Sequence, residues 1–108
     1  MTRLLVASLD LLPDGAGARV EAAGRRLALF RRGAEVFALG DRCSHAEASL
    51  AEGEVFGDTV ECPRHGATFD LRSGAALSLP ATHPAPVYPT EVVGGEVYVL
   101  LPAGEELS

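Results

Sequence analysis

The chain has 108 residues, 47% hydrophobic and 22% charged, so it can form one domain with a modest core and is too short for two. Its formal net charge of −6, without a basic stripe, disfavours a nucleic-acid partner and suits docking onto a basic protein surface. No run approaches the roughly 20 apolar residues of a membrane helix, and the N-terminus lacks the apolar run of a signal peptide, so the sequence predicts a cytoplasmic protein without membrane contact.

Short strands separated by glycine-containing turns are the predicted elements along most of the chain. Apolar-rich or alternating runs bounded by turn signals are typical of strands, and segments 18–22, 26–31, 35–39, 54–56, 59–61, 68–71, 87–93 and 96–101 have this character. Gly94-Gly95 predicts a tight hairpin between the last two strands, and one helical turn is expected near residues 47–51. This regular spacing predicts an all-β fold, an antiparallel sandwich or small barrel, in a single domain over residues 1–108.

Three segments interrupt the strand pattern, at residues 41–48, 62–67 and 79–89. The first two combine cysteine and histidine with small and polar residues, which is typical of metal-binding loops. The third holds four of the seven prolines. A proline-dense loop is stiff and donates few backbone hydrogen bonds, so it can serve as a dry lid.

Both cysteines and two of the three histidines fall into two pairs, Cys43 with His45 and Cys62 with His65. In a reducing cytosol, cysteines are more often ligands or free thiols than disulfides. A zinc site uses the same donors, but zinc fingers usually pair Cys with Cys and His with His along the chain. Pairs that mix thiolate and imidazole instead fit a binuclear iron–sulfur cluster, with thiolates on one iron and imidazoles on the other. His83 lies outside both pairs and is expected to be an exposed loop residue, with a place at the tip of the cluster site as the alternative.

The residues that flank these pairs make the pattern specific. Cys43-Ser44-His45 is followed by Cys62-Pro63-Arg64-His65-Gly66, and then by Phe69-Asp70 and Gly74. In this register the sequence resembles the Rieske ferredoxins, from about Val36 to the last strand. The resemblance implies a Rieske-type antiparallel β fold with cluster-binding loops at 41–48 and 62–67 and a proline-rich loop at 79–89.

The resemblance also implies a function. One [2Fe–2S] cluster would be bound by Cys43 and Cys62 through sulfur at one iron, and by His45 and His65 through nitrogen at the other. The protein would be a monomeric electron carrier rather than an enzyme, taking electrons from a flavin-containing reductase and passing them to a terminal oxygenase. Two alternatives remain open: a small Rieske subunit of another redox complex, nitrite-reductase-like or linked to iron–sulfur metabolism, and a structural zinc-binding domain.

Two departures from the respiratory-type Rieske proteins bear on the reduction potential. By the resemblance, those proteins carry an extra cysteine in each loop, forming a disulfide, where this chain has Ala48 and Arg64. They also place serine and tyrosine hydroxyls against the cluster sulfurs, where this chain has Ala67 and Phe69. Hydrogen bonds to sulfur stabilise the more negative reduced state, so their absence lowers the potential. The sequence therefore predicts a potential near the low end of the Rieske range, which reaches roughly −150 mV.

Introducing hydroxyls at positions 67 and 69 tests the predicted low reduction potential. The double substitution Ala67→Ser with Phe69→Tyr is expected to raise the midpoint potential, because each hydroxyl can donate a hydrogen bond to cluster sulfur. A spectroscopically monitored redox titration of both proteins measures the shift. An unchanged potential in a double variant that keeps its cluster would contradict the argument.

Overall fold

Antiparallel β-strands form the regular structure of the chain, which confirms the all-β fold predicted from the sequence. The computed structural model describes residues 2–22, 24–41, 49–63, 66–77 and 85–101. The strands are β1 (Thr2–Ser8), β2 (Gly17–Ala22), β3 (Arg25–Arg32), β4 (Glu35–Gly40), β5 (Glu54–Phe56), β6 (Thr59–Glu61), β7 (Thr68–Asp70), β8 (Val87–Tyr88), β9 (Thr90–Val93) and β10 (Glu96–Leu101), with 3₁₀ turns at Leu9–Leu11 and Leu50–Glu52.

The described strands pair into three antiparallel sheets. A four-stranded sheet has the order β2-β3-β4-β8, and two three-stranded sheets have the orders β1-β10-β9 and β5-β6-β7. The β9–β10 hairpin closes through Gly94 and Gly95, both with positive φ, as the sequence predicts. The small β5-β6-β7 sheet leads directly into the second predicted metal-binding segment, because β6 and β7 flank residues 62–67.

Strand β3 is buried on both faces, which explains its continuous apolar run. Successive side chains of a strand point to opposite faces, and here Leu27 and Leu29 join one core while Ala28 and Phe30 join another. We call the second the loop-side core, and it consists of Ala28, Phe30, Leu39, Leu50, Val60, Cys62, Ala67, Phe69, Leu71 and Ala85. The first, the far core, consists of Leu12, Ala22, Leu27, Leu29, Val36, Ala38, Tyr88, Val97, Val99 and Leu101. The four-stranded sheet therefore lies between the other two sheets.

The sequence prediction does not include the N-terminal strand β1. It also predicts one continuous strand where the structure has two, β8 and β9. Strand β1 pairs with β10, at the opposite end of the chain, so no local turn signal marks it. The predicted strand 87–93 is interrupted at Pro89, which has no N–H to donate to a sheet. At this point the chain leaves its pairing with β4 and begins to pair with β10. Thr90 holds the crossing by donating its hydroxyl to the Val36 carbonyl at 2.6 Å.

Helical structure in the described residues is confined to the two short 3₁₀ turns. The helical turn predicted at residues 47–51 lies partly outside the described residues; of the described part, Leu50 and Ala51 belong to the 3₁₀ turn Leu50–Glu52, and Ser49 precedes it in an extended conformation. Within the described ranges, no helix has the length and hydropathy that a membrane crossing requires.

Gly74 precedes the proline-rich segment and packs against Ala85, near the end of that segment. Its φ is +74°, and its carbonyl accepts a hydrogen bond from the Ala85 N–H at 2.7 Å. A Cβ atom at this position would lie 2.1 Å from the Ala85 carbonyl oxygen and 2.6 Å from Val87 Cγ2. Only glycine therefore fits here, for both backbone conformation and space.

The substitution Gly74→Ala is expected to destabilise the fold far more than Gly94→Ala. Both residues have positive φ, which costs an alanine roughly 1–2 kcal/mol. Only Gly74 adds a steric clash, because a Cβ at Gly94 meets nothing within 4 Å. The clash is expected to add a further ~1–3 kcal/mol. Chemical denaturation followed by circular dichroism measures both variants, and equal losses of stability would contradict the close packing at Gly74.

Candidate metal centre

The three segments that interrupt the strands all end in the loop-side core. Leu50 follows the first segment, Cys62 and Ala67 bound the second, and Ala85 follows the residues of the third that lie outside the described ranges. Each of these four side chains is at most 3% exposed. Packing of one core therefore brings the bases of the three segments together on the same side of the four-stranded sheet.

Two backbone hydrogen bonds join the described ends of the second segment. The Cys62 N–H donates to the Ala67 carbonyl at 2.7 Å, and the Gly66 N–H donates to the Cys62 carbonyl at 3.0 Å. Gly66 has a φ of +75°, a left-handed conformation that glycine adopts without steric cost. The loop thus leaves strand β6 at Cys62 and returns to strand β7 within a few residues.

Cys62 is a buried thiol at the base of this loop, with 1% of its surface exposed. Phe69 and Ala67 are completely buried in the same core, so the two positions that the sequence analysis linked to the potential both lie with Cys62 in the loop-side core. Neither side chain carries a hydroxyl. The side chains that pack with Cys62 in the loop-side core are therefore apolar.

The first segment is held at its base by Asp41, which is 1% exposed. Its Oδ1 atom accepts hydrogen bonds from the Ser49 hydroxyl at 2.7 Å and from the Ala51 N–H at 3.1 Å. Its carbonyl accepts a third from the Leu50 N–H at 2.6 Å, and its own N–H donates to the Arg26 carbonyl at 3.1 Å. Side chain and backbone of one residue thus join the two ends of the segment.

The third segment is anchored on both sides by backbone hydrogen bonds. The Ala85 N–H donates to the Gly74 carbonyl, and the Gly40 N–H donates to the Pro86 carbonyl at 2.8 Å. On the entering side, the Leu77 N–H donates to the Thr68 carbonyl at 2.8 Å. These bonds connect the segment to the strands that flank both predicted metal-binding loops.

Of the predicted ligands, the structure describes Cys62 alone. Cys43, His45 and His65 lie outside the described residues, as does His83. The described residues contain no group of three or more Cys, His, Asp or Glu side chains that could hold a metal ion. The four-residue ligand set therefore stays a prediction.

The residues that are described fit an iron–sulfur cluster. A buried thiol suits a thiolate ligand at the inner iron, and the apolar core beneath it limits access of water to that side. The hydrogen-bonded bases of the loops supply fixed points from which two short segments can contribute one thiolate and one imidazole each. That donor set has the two thiolates and two imidazoles that a Rieske cluster takes.

Acidic side chains lie beside the second loop. Glu61, at the end of β6, places Oε2 3.9 Å from where a Cβ on Gly66 would be. On the neighbouring strand, Glu54 is directly opposite Glu61, and Glu54 is exposed. Like charges opposite each other destabilise a strand pair, so this pairing costs some stability and gives this end of the small sheet a negative charge.

Asp41 begins the first loop, but nothing in the sequence marks it as a functional residue. Aspartate is rarely fully buried unless it has hydrogen-bond or charge partners, so its burial is the informative signal. Burial depends on the packing of Leu50 and the strands around it, and no spacing in the sequence shows it. A single acidic residue after a strand and glycine is otherwise ordinary turn chemistry.

Comparisons with known proteins identify the family of the chain. The model of the Rieske [2Fe-2S] domain matches residues 2–89. The 3-phenylpropionate/cinnamic acid dioxygenase ferredoxin subunit of Escherichia coli O139:H28 (strain E24377A / ETEC) is 42% identical over 106 residues, covering 97% of this chain and 99% of its own length. This chain and this relative thus align over nearly the whole length of both.

Solved structures of dioxygenase ferredoxins share the fold. The ferredoxin of carbazole 1,9a-dioxygenase from Nocardioides aromaticivorans IC177 is 37% identical, with a TM-score of 0.87, covering 92% of this chain and 97% of that one. A chain in the complex of reduced oxygenase and oxidized ferredoxin in carbazole 1,9a-dioxygenase is 41% identical, with a TM-score of 0.83, covering 90% and 91%. The chain therefore belongs to the Rieske [2Fe–2S] family, which binds one iron–sulfur cluster, and it is a ferredoxin-type electron carrier rather than an enzyme.

Proposed function

We propose that Cys43, His45, Cys62 and His65 hold the cluster, and that residues 1–108 form a single Rieske domain. The observation that carries this proposal is the buried Cys62 thiol, set at the base of a closed loop in the loop-side core. Its position matches the second cysteine of the C-x-H and C-x-x-H pairs. The family match at residues 2–89 includes all four proposed ligands.

The chain's own residues position and shield the redox group. When bound, a [2Fe–2S] cluster takes up and releases one electron. Cys62 supplies a thiolate from the core, where Ala67 and Phe69 exclude water. His45 and His65 supply neutral nitrogen ligands, which raise the reduction potential above that of an all-cysteine site. Without hydroxyls at positions 67 and 69, the potential stays low within the Rieske range.

The proposed partners are a flavin-containing reductase as electron donor and a terminal oxygenase as acceptor, with the protein acting as a monomer in the cytoplasm. Relatives named as dioxygenase ferredoxin subunits support the acceptor, as does the likeness to a chain in an oxygenase–ferredoxin complex. The net charge of −6 and the acidic pair Glu54 and Glu61 beside the second loop favour a basic docking surface on the partner.

Replacing each proposed ligand tests the site directly. The wild-type protein, purified without oxygen, is expected to be reddish-brown with about two iron and two sulfide ions per chain. Reduction with dithionite is expected to produce the low-average-g EPR signal of a histidine-ligated [2Fe–2S] centre. Cys43→Ala, Cys62→Ala, His45→Ala and His65→Ala are each expected to abolish that signal, because each removes a ligand.

His83→Ala is the matched control, since it removes the one histidine outside the two pairs and is expected to keep both iron and signal. A colourless wild-type protein with stoichiometric zinc, after failed reconstitution with iron and sulfide, would reject the redox site. A full EPR signal in any of the four ligand variants would reject that residue as a ligand.

Charge substitution tests how the carrier meets its acceptor. Glu54→Gln is expected to slow electron transfer to a dioxygenase terminal oxygenase at low ionic strength, because it removes an exposed negative charge beside the second loop. Stopped-flow oxidation of the reduced protein measures the rate, and added salt is expected to reduce the difference between the two proteins. Glu96→Gln is the control, since it removes an equal charge on the β1-β10-β9 sheet.

Equal effects of both substitutions would contradict docking at the second loop. Electron transfer to a nitrite reductase, with none to any oxygenase supplied, would favour the alternative acceptor. Stable co-purification with subunits of another redox complex would point to the same alternative.

A further inference from the structure

We propose that Asp41 is a positioning residue for the cluster: its buried carboxylate holds the first loop at its base, so that Cys43 and His45 are presented in one geometry. The inference rests on the proposed function, because it takes these two residues as ligands. Among the described residues, Asp41 bonds to the base of the loop, and we infer that it acts through the loop that follows it.

The hydrogen bonds of Asp41 cross the base of the loop. Residues 42–48 form the segment between Asp41 and Ser49, and Cys43 and His45 lie two and four positions after Asp41. The Asp41 carbonyl bonds to Leu50, and the carboxylate oxygen bonds to Ser49 and Ala51. These bonds hold the two ends of the seven-residue segment close together, which reduces the number of conformations that the segment can adopt. They therefore restrict the positions that its side chains can reach.

The same contacts connect the loop base to the core. Ser49 and Ala51 flank Leu50, which is completely buried in the loop-side core together with Cys62. On the other side, the Asp41 N–H bonds to the Arg26 carbonyl at the start of β3. The carboxylate thus ties the loop that carries two proposed ligands to the core that holds a third.

Burial of the carboxylate argues for a role in geometry rather than in bulk stability. Moving a carboxylate out of water is costly, and its hydrogen bonds recover only part of that cost. A well-packed apolar side chain would stabilise such a position at least as well. What an apolar residue cannot supply is an acceptor directed at both the Ser49 hydroxyl and the Ala51 N–H, and that pair of bonds reinforces the backbone bond between Leu50 and the Asp41 carbonyl.

The experiment compares Asp41→Ala, Asp41→Asn and Ser49→Ala with wild type. Alanine removes the two side-chain hydrogen bonds described for Asp41, whereas the asparagine carbonyl oxygen can accept both of these. Ser49→Ala removes one donor and leaves the aspartate in place. Asp14→Ala is the matched control, because the Asp14 carboxylate also bonds across two chain segments, to the Gly33 N–H at 3.0 Å, in turns that carry no proposed ligand.

Three readouts are followed on the cluster-loaded proteins: the rate of cluster loss to an iron chelator, the EPR g values after reduction, and hydrogen exchange at the Ala51 amide. Loss of a group that orients metal ligands typically weakens metal binding by about 10–100-fold. Asp41→Ala is therefore expected to lose its cluster about 10–100-fold faster than wild type, with shifted g values and faster Ala51 exchange. Asp41→Asn is expected to restore near-wild-type values, and Ser49→Ala to lie between wild type and Asp41→Ala.

Wild-type g values and chelation rates in Asp41→Ala, matching those of Asp14→Ala, would overturn the inference. Equal cluster loss in Asp41→Asn and Asp41→Ala would also overturn it, because the asparagine keeps the hydrogen bonds. If Asp41→Ala fails to fold, Ser49→Ala decides: faster cluster loss than in Asp14→Ala supports the inference, and unchanged loss overturns it. A wild-type protein without iron would overturn the proposed function and the inference together, whereas an intact wild-type cluster with unaffected variants would overturn the inference alone.

Discussion

The packing of the loop-side core is the interaction on which the rest of the site depends. Leu50, Cys62, Ala67 and Ala85 come from the bases of three separate segments, and each is buried in this one core. Burial of apolar surface is non-directional, so packing brings the loop bases together but does not by itself set their relative geometry. Directional contacts must supply that geometry, and they come from the hydrogen bonds of Asp41, the Cys62–Ala67 closure and the Gly74–Ala85 bond.

Strand β3 separates the loop-side core, where the candidate site lies, from the far core on the opposite face of the same sheet. Ala28 and Phe30 face the loop-side core, while Leu27 and Leu29 face the far core. The far core joins this sheet to the sheet that contains β1 and β10, the first and last strands of the described chain. A strand buried on both faces transmits any shift in one core to the other, since interiors are close-packed and resist compression. The bases of the loops therefore pack on one face of the four-stranded sheet, and the far core packs on its other face.

Short-range patterns in the sequence predict most of this fold, and long-range pairings account for what they miss. The strands from β2 to β7 carry their own turn signals, and the paired Cys and His residues are recognisable from spacing alone. The break at Pro89 has a local signal, because proline has no N–H to donate to a sheet, whereas strand β1 has its partner in β10, nearly the full chain away. Asp41 escapes detection for the same reason, because only tertiary packing makes an ordinary loop aspartate a buried one.

The side chains of Ala67 and Phe69 bear on two properties, the packing of the core and the reduction potential that is predicted for the cluster. Both side chains are completely buried beside Cys62, so a hydroxyl at either position would need a hydrogen-bond partner inside the core. A buried hydroxyl without a partner costs about 1–3 kcal/mol, and cluster sulfur can serve as that partner only once the cluster is bound. Apolar side chains at these positions need no hydrogen-bond partner, so their burial carries no such cost. The predicted low reduction potential and a core that needs no hydrogen bonds to the cluster would thus both follow from the same pair of residues.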